Sequence, residues 1–275
     1  MDIVTGANGG IGKEITLGLA RRGHRVIMAC RNTDVAENVR QEIIAVSGNR
    51  CIEVWPLDLT SFEHVRTFAE RMRQDGEKVQ LLVNNAGIMC RDFSVTEDGF
   101  ETMTQVNYMG PYLLTRLLLP VMQRGATIVN TSSCTYRLGK VENDFFQADA
   151  RNYALFRIYG NAKLAVLLFT VELAERCREM EIGVNAVDPG VVNTNMITMH
   201  RWFDPLADLF FRPFIRSPRQ GADTTLFLAD EAYKRHFTAS FWKNRRRKTM
   251  PQMAQDDMAR LQLWERTEQL LTKYL

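Results

Sequence analysis

No run among the 275 residues is apolar for long enough to cross a bilayer, and the chain enters a strand too soon to leave room for a signal peptide. The expected location is cytoplasmic or peripheral on an intracellular membrane. The abrupt start at Met1-Asp2-Ile3-Val4 also fits a longer native form with an N-terminal anchor, which would leave the location open. Histidine is scarce: His24, His64, His200 and His236 stand far apart, and no His-Glu-x-x-His arrangement occurs. The five cysteines, Cys30, Cys51, Cys90, Cys134 and Cys177, are scattered singly without metal-ligand spacing, which fits a reducing compartment and packing roles. No metal is expected. Net charge is only +3, so the chain as a whole gives no nucleic-acid signal, and Arg245-Arg246-Arg247-Lys248 reads as a solvated loop. No internal repeat or low-complexity tract interrupts the order. With 45% hydrophobic residues the chain can bury a substantial core, and a single domain over 1–275 is expected.

What is present is an alternation of short apolar strands and helical stretches. Ile3-Val4-Thr5 ends a buried strand, and Gly6-Ala7-Asn8-Gly9-Gly10-Ile11-Gly12 follows it before a helix running to about residue 22. Glycines there let the backbone turn tightly and approach a pyrophosphate, whose charge meets free amides and the positive end of the helix dipole. The loop lacks the Gly-Lys-Ser/Thr ending that a nucleotide hydrolase needs. Val26-Ile27-Met28-Ala29-Cys30 is the second strand, and Arg31 stands where an acid would bond the ribose hydroxyls of NAD. A guanidinium suits a 2′-phosphate, which points to NADP; a solvent-facing turn arginine is the plainer alternative. After a third strand at 51–55, Asp58 could accept from the adenine amino group or cap the next helix beside Ser61.

Leu81-Leu82-Val83 is a wholly apolar strand running into Asn84-Asn85-Ala86-Gly87, where small and amide residues let a cofactor pass and tie strand ends together. A helix over 98–122 carries Asn107 in an apolar pattern, and Pro111 and Pro120 imply bends or a break. The fifth strand, 127–131, ends in Ser132-Ser133; if it is buried, Asn130-Thr131-Ser132 is no glycosylation site. Further strands are expected at 184–187 and 237–240, with Asp188-Pro189-Gly190 breaking the first of them at a carboxyl edge. Ser217-Pro218 opens a helix to about 228, and Leu261, Trp264 and Leu271 mark one face of a terminal helix.

Tyr159-Gly160-Asn161-Ala162-Lys163 places a phenol and an ammonium four positions apart on one helical face. A phenol of pKa about 10 is a poor base at neutral pH unless a fixed positive charge stabilises its anion. Lys163 is placed to supply that charge.

Together these motifs resemble the short-chain dehydrogenase/reductase family nearly end to end, most closely its retinol dehydrogenase-type branch. Thr5-Gly6-Ala7-Asn8-Gly9-Gly10-Ile11-Gly12 is similar to the family's glycine motif, Asn84-Asn85-Ala86-Gly87 to its stabilising motif, and Pro189-Gly190-Val191-Val192-Asn193-Thr194 to its nicotinamide-contacting segment. Ala29-Cys30-Arg31-Asn32 resembles the NADP-preferring second strand, and Leu263-Trp264-Glu265 the branch's closing helix. Gly9 and Ala162 depart from the common hydroxyl residues without removing a catalytic group. The resemblance implies a Rossmann-type doubly wound parallel sheet with helices on both faces, and catalytic roles for Asn107, Ser133, Tyr159 and Lys163. By the same resemblance Asn107 would hold a water linking Lys163 to solvent. The cofactor-binding set it implies is Gly6, Asn8, Gly10, Ile11, Gly12, Arg31, Asp58, Leu59, Asn85, Ala86, Gly87, Tyr159, Lys163, Pro189, Gly190, Val192 and Thr194, for NADP(H). The activity implied is interconversion of an alcohol and a carbonyl on a lipophilic retinoid-, steroid- or fatty aldehyde-like substrate. The rival is a non-catalytic dinucleotide-binding regulator.

Met196, Trp202, Phe203, Phe210, Phe211 and Phe214 gather just after the Pro189-Gly190 edge, in a segment near 196–216 that reads as an apolar lid or as a packed helix. With Arg201, Arg212 and Arg216 nearby, peripheral contact with a membrane surface also fits. A homodimer is compatible with the resemblance.

Overall fold

The computed structural model describes residues 1–142, 145–147, 150–192, 216–235 and 237–275. Thr194 and the 196–215 part of the expected lid lie outside them. Seven strands run parallel: β1 (Asp2–Thr5), β2 (Val26–Cys30), β3 (Ile52–Pro56), β4 (Val79–Asn84), β5 (Met122–Thr131), β6 (Gly183–Val187) and β7 (Ser240–Lys243). An antiparallel edge strand, β8 (Arg246–Lys248), completes the order β3-β2-β1-β4-β5-β6-β7-β8.

Successive residues of a strand face opposite sides, so a doubly covered sheet needs apolar residues at every position. Ile3, Ile27, Leu82 and Ile128 pack on one side. The helices there are α3 (Phe62–Asp75), α5 (Gly110–Leu118), α6 (Leu155–Arg176) and α8 (Asp257–Leu271). Their neighbours Val4, Met28, Val83 and Val129 pack on the other side, against α1 (Gly10–Ala20), α2 (Thr33–Ser47) and α7 (Pro218–Arg235). The sheet winds outward in both directions from between β1 and β4. At that switch point the carboxyl ends leave a crevice, which is where open α/β sheets take ligands.

Local signals set several boundaries. Asn32 caps α2 by accepting from Val35 N at 3.0 Å, and Ser217 and Gln220 cap α7 reciprocally. Asn130 is buried and bonded to Asn84 and Thr170, which closes the glycosylation reading.

Four expectations change. The 98–122 helix starts only at α4 (Thr102–Thr104), because the Glu101 carboxylate caps Met103 N and Thr104 N while Asp98 is drawn to Phe62 N and Gln105. The seventh strand lies at 240–243 and not 237–240. Ala239 takes a left-handed φ of 48°, and Phe237 and Thr238 spend their polar atoms on Asn185 and Val184, so the ladder begins after them. The basic run is a strand: Asn244 and Arg245, with φ of 55° and 56°, make the two-residue turn that matches hairpin twist. Its residues are solvated as expected. Leu261 is 44% exposed, and Leu263 instead joins Trp264 and Leu271 in the core.

Candidate active site

The glycine loop is shaped by steric limits. Gly6 has φ of 63°, and a Cβ on Gly12 would stand 2.1 Å from the Gly6 carbonyl oxygen and 2.7 Å from Asn85 Nδ2. Gly9 enters α1 with no side-chain cap, no acid stands in the first turn, and a Cβ at Gly9 would meet nothing within 4 Å. The amides of Gly10, Ile11 and Gly12 therefore point from a helix start without intrahelical acceptors. That donor set fits a dinucleotide pyrophosphate. Asn8 is half-buried in the same loop. Arg31 is exposed just past β2, and among the described residues no ion pair holds its guanidinium. Asp58 does not cap α3; Ser61 does, while Asp58 Oδ1 takes the Thr60 amide and hydroxyl. Leu59 is buried against Gly110.

The loop leaving β4 is stapled from two sides. Thr5 Oγ1 accepts from Asn85 N at 3.0 Å and Ala86 N at 2.9 Å, and Asn85 Nδ2 donates to Thr5 O at 3.0 Å. Ala86 consequently sits against Gly6, with Gly87 following it. From above, the Asn107 amide donates to Ile88 O at 2.9 Å and accepts from Ile88 N at 2.8 Å. Asn107 lies in a π turn (Gln105–Met109) that ends where Pro111 enters α5. Proline has no N–H, so the Asn107 carbonyl lacks its α-helical donor four residues on. The side chain is thus tied to the loop at Ile88. Asn84 Oδ1 and Thr131 Oγ1 are buried without a protein partner, and both residues line a small cavity with Asn107.

Ser133, Tyr159 and Lys163 come together at the carboxyl end of β5. The Tyr159 hydroxyl is hydrogen-bonded to Ser133. Lys163 Nζ lies 5.5 Å from the Tyr159 ring centre and donates to Thr131 O at 2.9 Å. Ser132 Oγ donates to Lys163 O at 3.0 Å, locking α6 to β5. Burial pushes the Tyr159 phenol up to about 12, against the pull of Ser133, and pushes the Lys163 ammonium down to about 8. Desolvation is the larger effect on the phenol, and it favours the neutral, protonated Tyr159.

On the far side, Asp188 Oδ1 accepts from Gly190 N at 2.9 Å, and Lys243 Nζ donates to Asp188 Oδ2 at 2.8 Å. Arg216 donates to Pro189 O at 3.3 Å, and Gly190, with φ of 83°, leaves room for that side chain. Val192 and Ile11 meet over Gly221, which joins the β6 edge to the glycine loop. Thr5, Ser132, Lys243 and Arg216 are site-building residues that the sequence reading did not assign to the site. Thr5 had a signal, since a hydroxyl ends the strand that feeds the glycine loop; the others act through partners distant in sequence.

A parallel sheet with its switch point at a glycine cradle, facing a serine, a tyrosine and a lysine, defines a dinucleotide-dependent oxidoreductase. The chain belongs to the short chain dehydrogenase family, whose model matches residues 2–202, and is an oxidoreductase acting between CH–OH and C=O groups. It is 38% identical over 271 residues to retinol dehydrogenase 12 of Mus musculus, covering 98% of this chain and 85% of that protein. With retinol dehydrogenase 11 of Mus musculus it shares 41% over 232 residues, 82% of this chain and 72% of the other. Among solved structures, a blue fluorescent protein from a metagenomic library in complex with NADPH matches with a TM-score of 0.68 and 28% identity, covering 87% of this chain and 94% of that one.

Proposed function

We propose that the protein is an NADP(H)-dependent dehydrogenase/reductase for a lipophilic retinoid-, steroid- or fatty aldehyde-like substrate, its 275 residues acting as one catalytic domain. The observation that carries this reading is the Ser133–Tyr159–Lys163 group set opposite a glycine cradle at one sheet edge. Arg31 and the absence of an acid at the end of β2 support the phosphorylated cofactor, as does the NADPH complex of the structural relative. The retinol dehydrogenase relatives support the lipophilic class.

In the reduction direction the substrate carbonyl oxygen takes two hydrogen bonds, from Ser133 and Tyr159. Bound NADPH supplies the hydride to the carbonyl carbon. Tyr159 passes its proton to the oxygen as negative charge develops there, and Ser133 steadies that charge. Lys163, beside the ring, stabilises the phenolate left behind until a proton returns. A buried phenol held neutral begins this sequence in the required state. Oxidation runs the same transfers backwards.

The test is NADPH consumption by the purified protein with a panel of lipophilic aldehydes and ketones. Tyr159→Phe keeps the ring and deletes the proton, so turnover should fall on the order of 10² to 10⁴ with NADPH affinity largely retained. Near-normal turnover in that variant refutes the assignment, and binding without consumption by the parent protein returns the regulatory reading.

A further inference from the structure

A second tyrosine is built into the same edge. Tyr153 stands six residues before Tyr159, just ahead of α6, and its hydroxyl donates to the carbonyl of Cys90 in the loop that leaves β4. Its ring meets Phe93 of that loop edge-on, with centroids 5.8 Å apart at 76°. The Cys90 amide is held from the other direction by Met103 Sδ at 3.2 Å, and Met103 is fully buried in α4. The 85–93 loop is therefore fixed to β1 by Thr5, to the π turn by Asn107, to α4 by Met103 and to the approach of α6 by Tyr153. Among these ties only the last comes from the segment that delivers the proposed proton donor.

β4 and β5 are neighbours, and their carboxyl ends send off the 85–93 loop and the Ser133-to-Tyr159 segment respectively. A carbonyl that bonds Ser133 and Tyr159 would enter the gap between these two segments, with the body of the substrate along it. Resting on the function proposed above, we propose that Tyr153 is a positioning residue that fixes the width of this gap by tying the β4-exit loop to the start of the catalytic helix, so that Phe93 and Tyr153 form one aromatic wall against a lipophilic substrate. It is not a second proton donor for the reaction, since its hydroxyl is committed to a peptide carbonyl. Burial, which pushes this phenol up to about 12, keeps it a neutral donor across the working pH range.

The experiment compares the full chain with Tyr153→Phe, which keeps the ring and the Phe93 contact and removes only the O–H. Amide hydrogen exchange at 88–93 should speed up, a readout independent of any turnover. KM for a long-chain aldehyde should rise roughly threefold to tenfold, as expected for one neutral hydrogen bond, while kcat and NADPH affinity stay within about twofold. Tyr153→Ala, which also removes the wall, should raise KM further for long-chain than for short-chain aldehydes. Unchanged exchange at 88–93 in the phenylalanine variant overturns the tie. Faster exchange with unchanged KM, or with kcat and cofactor affinity falling in step, overturns its role toward substrate. Failure of the parent protein to consume NADPH would instead count against the proposed function, leaving the exchange result to judge the tie alone.

Discussion

A lysine that is 3% exposed is costly to keep charged, and Lys163 offsets part of that cost by donating to the carbonyl of Thr131 beside the Tyr159 ring. An ammonium can donate three hydrogen bonds, so this one retains donors for a ribose or a water beside Tyr159. The other cationic residue assigned to the cofactor sits in the opposite environment. Arg31 is solvent-exposed, where an ion pair adds little unless its geometry is bidentate, as guanidinium on phosphate is. A preference for NADP(H) over NAD(H) of more than about tenfold should follow from that charge-assisted contact, and Arg31→Asp should reverse it. Fluorescence titration of both cofactors against both proteins measures this directly. Equal affinities in the parent protein would remove Arg31 from the site. Arg31 could be read from the sequence because its position relative to β2 is local; its solvent-facing alternative could not be dismissed there, since a side chain's freedom depends on every neighbour.

The helix leading to Asn107 shows where local reading stops. Two prolines in an apolar run announced an interruption, but not that the interruption is a π turn aiming an amide at Ile88. Nor was it visible that α8 braces this turn: Tyr108 bonds Thr267 at 2.9 Å, and the guanidinium groups of Arg116 and Arg176 approach the Trp264 ring to 4.9 and 4.2 Å. With the turn held, Asn107→Ala leaves both the N–H and the C=O of Ile88 without their partner. A destabilisation of about 2 kcal/mol is expected in urea denaturation. Asn107→Asp, which can still accept from Ile88 N–H but cannot donate to Ile88 O, should fall below the parent too, and cofactor affinity should drop in both because the loop they release begins at Asn85. A variant as stable as the parent would mean that water replaces the amide without cost. The shift of β7 and the basic hairpin have the same origin, since turn geometry at Ala239, Asn244 and Arg245 is set by backbone angles those residue types seldom announce.

At the scale of the whole sheet, its doubly wound parallel class and the edge that carries the site follow from motifs that each lie within a few residues. What remained hidden are the side-chain ties across it, such as Thr5 to Asn85 and Tyr153 to Cys90, whose partners lie 80 and 63 residues apart. One such tie makes the opposite edge sensitive to pH. Asp2, buried at the start of β1, meets His24 Nδ1 at 2.5 Å just before β2, where the same aspartate's amide bonds Arg25 O. The hydrogen bond to Asp2 raises the His24 pKa above its ordinary 6.5, against the opposing effect of partial burial. Asp230 adds to the rise and Arg22 works against it. Because the folded pKa lies above the unfolded one, the folded state binds the proton more tightly, and the stabilisation is complete below about pH 6.5. It is lost as pH climbs through the folded pKa, when the imidazole turns neutral and the buried carboxylate loses its charged partner. Tm should therefore decline as pH rises above about 6.5, and His24→Gln should flatten that decline while lowering Tm at the acidic end. A 33% exposed imidazole is partly screened, so the slope should be shallow and should weaken further in salt. An identical pH profile in parent and variant would show that Asp2 finds its compensation elsewhere.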